Sequence, residues 1–569
     1  MMFIIFLILT LFTFIKPVYA TYDPLSVPNN TYGIHIVDTN DIPDVAPLVN
    51  SSGGEWGYVT MVLSDADRNH DRWQNIFNRM RRSHLIPIIR LATHVEGSGW
   101  VKPTKERFYE IVNLLNNLTW PTENRYVVLY NEPNHANEWG GDLNPEEYAD
   151  DLVTFGQELK RASPDYFILP AGLDASAASD GEAMDESEYL RRMIAAKPEI
   201  LSVIDGWTSH SYPNPGFSGS PYARGRGTLT TYQWEISYLS SLGLTRTLPV
   251  FITETGWQHS EGKSYVPGLL SSDQCGINLQ VAAHNVWSDP HVVAVTPFLF
   301  NYQDVPFDHF SFKQLGNGSF YSQYYAYQSI SKIHGIPLQH ESYTLENDLL
   351  PGTLVSGSTY TLRAAVKNEG QGIIDPADGY DLEITDGGST ISVLVEPLPV
   401  VEPQATGEIT VHLKTPEKVG TYPLTVSIMH HDIRMTLQHR DITLVPPPSV
   451  EVRARLGWRK TGDASDVTVL VYDKNTLVQK LTGLTMKDGV VTASGLTNII
   501  PGNPYRVVTL VHGYLPRQTI TALGPRVTTL YPNRFLPLDF NNDGTFTFAD
   551  VLALARMSPW TAIARFFGP

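Results

Sequence analysis

Between Thr21 and Gln339, short β-rich runs alternate with amphipathic helical patterns, and no other feature of the chain narrows its possible folds as much. The runs predict strands at Gly33–Val37, Tyr58–Leu63, Ile86–Leu91, Tyr126–Tyr130, Phe167–Pro170, Val203–His210, Pro249–Thr253 and Val292–Phe300. Several are almost continuously apolar, as parallel strands covered on both faces must be. Helical patterns fill most of the gaps. After Pro103, the residues Phe108, Ile111, Val112, Leu115 and Leu118 recur at helical spacing. Asn144-Pro145-Glu146-Glu147 opens another helix with an N-cap, a proline at the first position and acidic residues against the positive helix end. Its buried stripe reads Tyr148, Leu152, Phe155 and Leu159. Eight strands, each followed by a helix or long loop, fit an α/β fold closed as a (β/α)8 TIM barrel over residues 21–340. A doubly wound open sheet would alternate in the same way, and the count of eight favours closure.

The pattern changes after His340. Tyr360–Val366, Thr410–Leu413 and Tyr422–Ile428 are β-runs separated by Gly, Asp and Pro turns, with no helical pattern between them. Residues 341–447 therefore read as a small Ig-like β-sandwich. Val445-Pro446-Pro447-Pro448 is a stiff extended linker, and a second all-β domain follows over 448–530. The remaining segment, 531–569, has a different character again.

At the N-terminus, Phe3–Ile15 is a 13-residue apolar run closed by Val18-Tyr19-Ala20, which reads as a signal peptide over residues 1–20. The run is short for a bilayer span, and no later stretch reaches 18 consecutive apolar residues. A secreted, extracellular protein with no membrane span after cleavage is expected. No Lys or Arg precedes the run, which keeps an uncleaved anchor as the alternative. Lys plus Arg total 41 against 59 for Asp plus Glu, a net charge of −18 that would repel a phosphate backbone and excludes nucleic acid as a partner. Cys275 is the only cysteine, so disulfides and Cys-rich zinc sites within the chain are excluded and stability rests on apolar cores.

Reacting groups in such barrels sit at the C-terminal ends of strands. Strand four runs into Asn131-Glu132-Pro133, and strand seven into Thr253-Glu254-Thr255-Gly256-Trp257. Two carboxyl groups facing each other across a barrel mouth are what glycoside hydrolysis needs. One stays protonated to give the leaving oxygen its proton, and the other stays ionised to attack or stabilise the sugar cation.

The pairing of Asn131-Glu132-Pro133 with Glu254 resembles glycoside hydrolase clan A, and is similar to families 5 and 39 of that clan over about residues 30–335. The resemblance implies that Glu132 is the general acid/base and Glu254 the nucleophile of a retaining reaction, their carboxyl groups about 5 Å apart. It implies a contact from Asn131 to the sugar 2-hydroxyl, and no cofactor for the chemistry. His210-Ser211-Tyr212 is similar to the family 5 His-x-Tyr, whose Tyr contacts the nucleophile. Arg90 resembles the clan's Arg that keeps the nucleophile ionised. Such a cation would lower the pKa of Glu254, while a second carboxylate would raise that of Glu132. Clan members often place a Trp after strand eight as the floor of the sugar site, whereas this chain has Phe298-Leu299-Phe300-Asn301. Trp257, Trp139 and Trp207 are the candidates to replace it. His94 and Asp174 also follow strands and are read as structural.

In the last segment, Asp539, Asn541, Asp543, Gly544 and Asp550 stand at positions 1, 3, 5, 6 and 12 of an EF-hand loop, with Thr545 between them. Calcium takes six to eight oxygen ligands, and Gly at position 6 permits the sharp turn. With Asp in the last position, followed by a helical Val551–Arg556, the segment looks like one half of a type I dockerin. That resemblance implies structural Ca2+ and a cohesin-like or cell-surface partner, although a full dockerin has two loops. The expectation is a secreted retaining glycoside hydrolase of β-linked polysaccharides or oligosaccharides. The alternatives are a non-catalytic glycan-binding surface protein and an exo-acting β-glycosidase similar to family 39.

Overall fold

The computed structural model describes residues 21–97, 99–388, 391–561 and 563, so the signal-peptide segment 1–20 lies outside the described residues. The chain divides after Glu341 into two compact units. The first is mixed α/β. Its parallel strands are β1 (Gly33–Ile36), β2 (Gly57–Ser64), β3 (Leu85–Ala92), β4 (Arg125–Leu129), β5 (Tyr166–Pro170), β6 (Trp207–His210), β7 (Val250–Glu254) and β8 (Val292–Val295). They form one arc in the order β1-β2-β3-β4-β5 and another in the order β8-β7-β6. Single parallel bridges join the arc edges, Tyr32 to Val295 and Asp174 to His210.

Alternate side chains along these strands enter two separate cores, as the two-residue pleat requires. Ile86, Ile88, Tyr126, Val128, Phe167 and Phe251 pack in one cluster. Their neighbours Leu85, Ile89, Val127, Leu129, Ile168 and Ile252 belong to a larger one shared with the helices. Asn69, Thr104 and Asn144 cap the helices His70–Arg82, Lys105–Asn117 and Pro145–Ala162, each side chain accepting a backbone N–H. Phe108 stacks on Phe155 with ring centroids 3.9 Å apart, tying the last two helices together. Full burial of a side chain of this kind is worth roughly 1.5–3 kcal/mol.

β6 and β8 are shorter than the sequence predicts. Ile200–Val203 is a helical turn, and β6 starts only after Gly206, where a Cβ would lie 2.9 Å from the Pro249 carbonyl oxygen. β8 stops at Val295 because the chain beyond it divides its hydrogen bonds. Thr296 and Phe298 donate to Ile252 and Thr255, and Phe300 donates to His35.

The second unit is almost entirely β. One sandwich faces a sheet built on Thr359–Asn368 and Thr406–Lys414 against another built on Gly420–His430 and Ile433–Val445. Alternate residues of Thr359–Asn368 are buried, so the inward Leu362, Ala364 and Val366 meet Val426, Ile428 and Leu444. A further core forms around Val450, Val467, Val469, Val491 and Val507. The Tyr360 hydroxyl donates to the Ile499 carbonyl and accepts from the Val355 N–H, linking the two cores. Among the described residues no helix is long and apolar enough to cross a membrane.

Candidate active site

A cleft of about 600 Å3 opens at the C-terminal ends of the parallel strands. β4 ends at Leu129, and the chain then turns through left-handed backbone at Tyr130 (φ 73°) and Glu132 (φ 29°). Such conformations cost about 1–3 kcal/mol each and persist only where the surroundings impose them. Here the Glu132 N–H donates to the Gly172 carbonyl at 3.1 Å, and the His135 N–H donates to the Glu132 carbonyl at 2.9 Å. The Tyr130 ring is clamped edge-on between Trp139 and Phe155. Glu254 needs no such turn, since it is the last residue of β7.

The two carboxyl groups have different partners. Arg90 Nη1 donates to Glu254 Oε1 at 2.8 Å and to Asn131 Oδ1 at 2.5 Å. The Tyr212 hydroxyl donates to Glu254 Oε2 at 3.0 Å. His210 Nδ1 lies 2.7 Å from Glu132 Oε1 and 3.8 Å from Glu254 Oε2. One atom each from Glu132, His210 and Glu254 lie within 4.8 Å of one another. Burial alone would push the Glu254 carboxyl up, but His210, Arg90 and the Tyr212 hydroxyl outweigh it and hold the group below the ordinary carboxylate range. For His210 burial works against the charged form, and the Glu254 and Glu132 carboxylates prevail, holding it above the ordinary histidine value. Glu254 is thus kept ionised, beside a carboxyl–imidazole pair able to hold and move a proton.

Gly172 sets the position of that pair. A Cβ there would lie 2.2 Å from His210 Cδ2, so only glycine lets the imidazole reach Glu132. Gly172→Ala should therefore displace His210 from Glu132 and let its pKa fall toward the ordinary histidine value. An NMR titration of the His210 ring checks this, and a wild-type titration would refute it.

Glu132, Glu254, Asn131, Arg90 and Tyr212 all line the cleft, with His210 buried against the two glutamates. Trp139 and Trp257 do not. Trp139 is 1% exposed, its Nε1 donating to Glu147, and Trp257 is 3% exposed, its Nε1 donating to the Gly219 carbonyl. Trp207 is likewise buried, bonded to Glu235. Indoles this close to the strand ends are taken up by the packing beneath the cleft. Its aromatic wall comes instead from Phe217, Phe298, Tyr302, Phe307 and Phe310, with Trp100 also lining the cleft. Phe298 is the centre of this wall, meeting Phe307 and Phe310 edge to face at 5.1 and 5.5 Å.

Three further polar groups bear on the site. His35 is 1% exposed, with Nδ1 3.7 Å from Glu254 Oε1; burial first, then Arg90, pull its pKa down to about 3, so it is neutral. A histidine inside the apolar run Gly33-Ile34-His35-Ile36 was the signal that could have found it. Asp174 lines the cleft, paired with His135 at 3.0 Å; burial opposes its ionisation, but the bonds from His135 and Ser176 bring it to about 2. Glu138 also lines the cleft. His94 instead pairs with Asp65 at 3.1 Å.

In the C-terminal loop, Asp539 Oδ2 accepts from the Gly544 N–H at 3.1 Å, and Asp543 Oδ1 accepts from the Thr545 N–H at 2.8 Å. The Asn541 amide donates to Asp543 at 2.6 Å. Asp550 accepts from the Phe540 and Asn541 N–H groups with one oxygen and from Thr547 with the other. It thereby closes the loop and completes the capping box of the helix Phe548–Arg556. Asp539 Oδ1 is buried with no hydrogen-bond partner.

No family model matches this chain, and no curated protein does. Among solved structures it is similar to a β-mannanase from Thermomonospora fusca, with 14% identity over 54% of this chain and 90% of that one, at a TM-score of 0.34. An endo-1,4-β-mannanase from Eisenia fetida aligns with 12% identity over 53% of this chain and 90% of its own, at a TM-score of 0.33. A β-1,4-D-mannanase from Cryptopygus antarcticus aligns with 11% identity over 54% and 94%, also at 0.33.

Proposed function

We propose that the first unit is a (β/α)8 barrel and a retaining glycoside hydrolase of β-linked glycans. The observation that carries this is the approach of Glu132 and Glu254 within 4.8 Å, near the ~5–5.5 Å spacing of a nucleophile and an acid/base and short of the ~6.5–9.5 Å that an inverting water requires. Their unequal surroundings supply the division of labour. Glu254, held ionised by Arg90 and Tyr212, attacks the anomeric carbon and forms the glycosyl-enzyme. Glu132, paired with His210, protonates the departing oxygen and then takes a proton from the incoming water. The wall around Phe298 offers ring faces against which a sugar can lie. The protein works outside the cell on this reading, as the apolar N-terminal run implies.

The test is to incubate the full chain with β-glucan, xylan, mannan and galactan and follow the first product by NMR before mutarotation. A β-configured reducing end appearing first is expected. An α-configured first product would overturn double displacement. Silence from folded protein on every polymer would favour the non-catalytic glycan-binding reading, and monosaccharide alone as the product would favour the exo-acting one.

The loop Asp539–Asp550 is proposed as a structural calcium site in the same protein, and as the anchor of a segment that docks to a cohesin-like partner. The buried, unpartnered Asp539 Oδ1 fits a hard oxygen-seeking cation, and Asn541, Asp543 and Thr545 offer further oxygens. Bound calcium would neutralise these oxygens and stiffen the loop. Calorimetric titration should show one Ca2+ per chain, lost in Asp539→Ala, with EDTA lowering loop stability by about 2–3 kcal/mol at ~100-fold excess of free metal over Kd. No heat with the intact chain would refute it.

A further inference from the structure

Glu138 is a cleft carboxylate that the catalytic scheme leaves without a task. It ends the short helical turn Ala136–Glu138, just beyond Asn131 and Glu132, and lines the same cleft. The other three carboxylates there have basic partners: Glu254 has Arg90, Glu132 has His210 and Asp174 has His135. Glu138 has none among the described residues. Its hydrogen bond is one from Asn131 Nδ2, at 3.3 Å to Oε2. Burial, and the nearby charge of Glu132, push its carboxyl above the ordinary range. A half-buried carboxylate with one long hydrogen bond is under-solvated, and the shortfall is made good when a ligand brings donors.

The cleft also defines which donors. Among the described residues Arg90 is the one guanidinium lining it, and it is committed to Glu254 and Asn131, so among them no free cation lines the cleft to receive an anionic substituent. Adjacent sugar hydroxyls, by contrast, match the two oxygens of a carboxylate. We propose, building on the glycosidase reading, that Glu138 is a specificity-determining residue whose carboxylate accepts hydrogen bonds from hydroxyls of the sugar seated against Glu254, and whose charge turns away carboxylate-bearing glycans. The substrate class is thereby an uncharged glycan.

The full chain should be assayed on backbone-matched pairs, β-1,4-mannan with polymannuronate and β-1,4-glucan with its C6-carboxylated form, together with xylan and galactan. The uncharged polymer that is cleaved should exceed its carboxylated partner by at least about 100-fold. Glu138→Gln should lower kcat/KM on that polymer by about 10- to 100-fold, chiefly through KM, and narrow the discrimination, at unchanged thermal midpoint. Unchanged kcat/KM and unchanged discrimination in Glu138→Gln would overturn the proposal and leave the glycosidase reading standing. Preference for a carboxylated polymer would also overturn it. Silence on the whole panel would overturn the glycosidase reading, and this inference with it.

Discussion

Glu254→Gln is expected to fold normally and to turn over glycan about 10^4-fold more slowly, or not at all. Glutamine keeps the side chain's shape, so Arg90 can still donate to its amide oxygen and the amide NH2 can donate to the Tyr212 oxygen, while the attacking charge is gone. The native charge is costly to keep. Glu254 is 7% exposed, and burial alone favours its neutral form. The basic and donor groups around it reverse that balance, so removing one should show in the pH profile. The folded-state pKa is depressed, so the ionised nucleophile and the stability it contributes are present above the unfolded value near 4.3. Both are lost as pH falls through the lower folded value. Arg90→Met should move the acid limb of kcat/KM upward, toward or past the ordinary carboxylate range. The alkaline limb should follow His210. Because His210 is held above the ordinary histidine value, that limb should lie above about 6.5. Rates near wild type in Glu254→Gln, with circular dichroism unchanged, would remove the nucleophile assignment.

How far the sequence could be read depends on how local each signal is. The strand pattern was legible because a buried parallel strand is apolar nearly throughout, as Ile86–Leu91 is. Glu132 and Glu254 were legible because they close two of those strands within short motifs. The same locality accounts for Arg90 and Tyr212, which reach Glu254 from β3 and from just beyond β6. The aromatic wall was not legible. Phe298, Tyr302, Phe307 and Phe310 lie in one irregular stretch after β8, whose path follows from hydrogen bonds divided between Thr255 and His35 rather than from any periodicity. Trp139 and Trp257 stood in the right place along the chain, yet a side chain's direction past a strand end is decided by tertiary packing, and both turned inward. Glu138 carried no motif, and its interest arises only when the partners of its neighbours are accounted for. In the second unit the alternation of Thr359–Asn368 was plain, because a sandwich strand must hide every other residue.

Glu132→Ala should separate the two half-reactions. Loss of a general acid costs about 10^2- to 10^4-fold on a substrate whose leaving group needs a proton, and little on an aryl glycoside whose leaving group does not. On the activated substrate Glu254 still attacks, the glycosyl-enzyme accumulates, and its hydrolysis stalls because no base deprotonates water. Azide needs no deprotonation and fits the space left by the missing carboxyl. Adding it should restore turnover and yield a β-glycosyl azide, since attack comes from the face that water would have used. The corresponding Glu254→Ala variant with azide should give the α-azide, because the anion then replaces the nucleophile on the opposite face. Opposite anomers from the two variants follow only if Glu132 and Glu254 stand on opposite sides of the anomeric carbon. Identical anomers, or no rescue in either variant, would mean that their close approach serves some other chemistry. His210 enters this experiment as a control. It loses its hydrogen-bonding carboxylate in Glu132→Ala but keeps Glu254 3.8 Å away, so its pKa should fall toward the ordinary value. An NMR titration of its ring resonances can follow that shift.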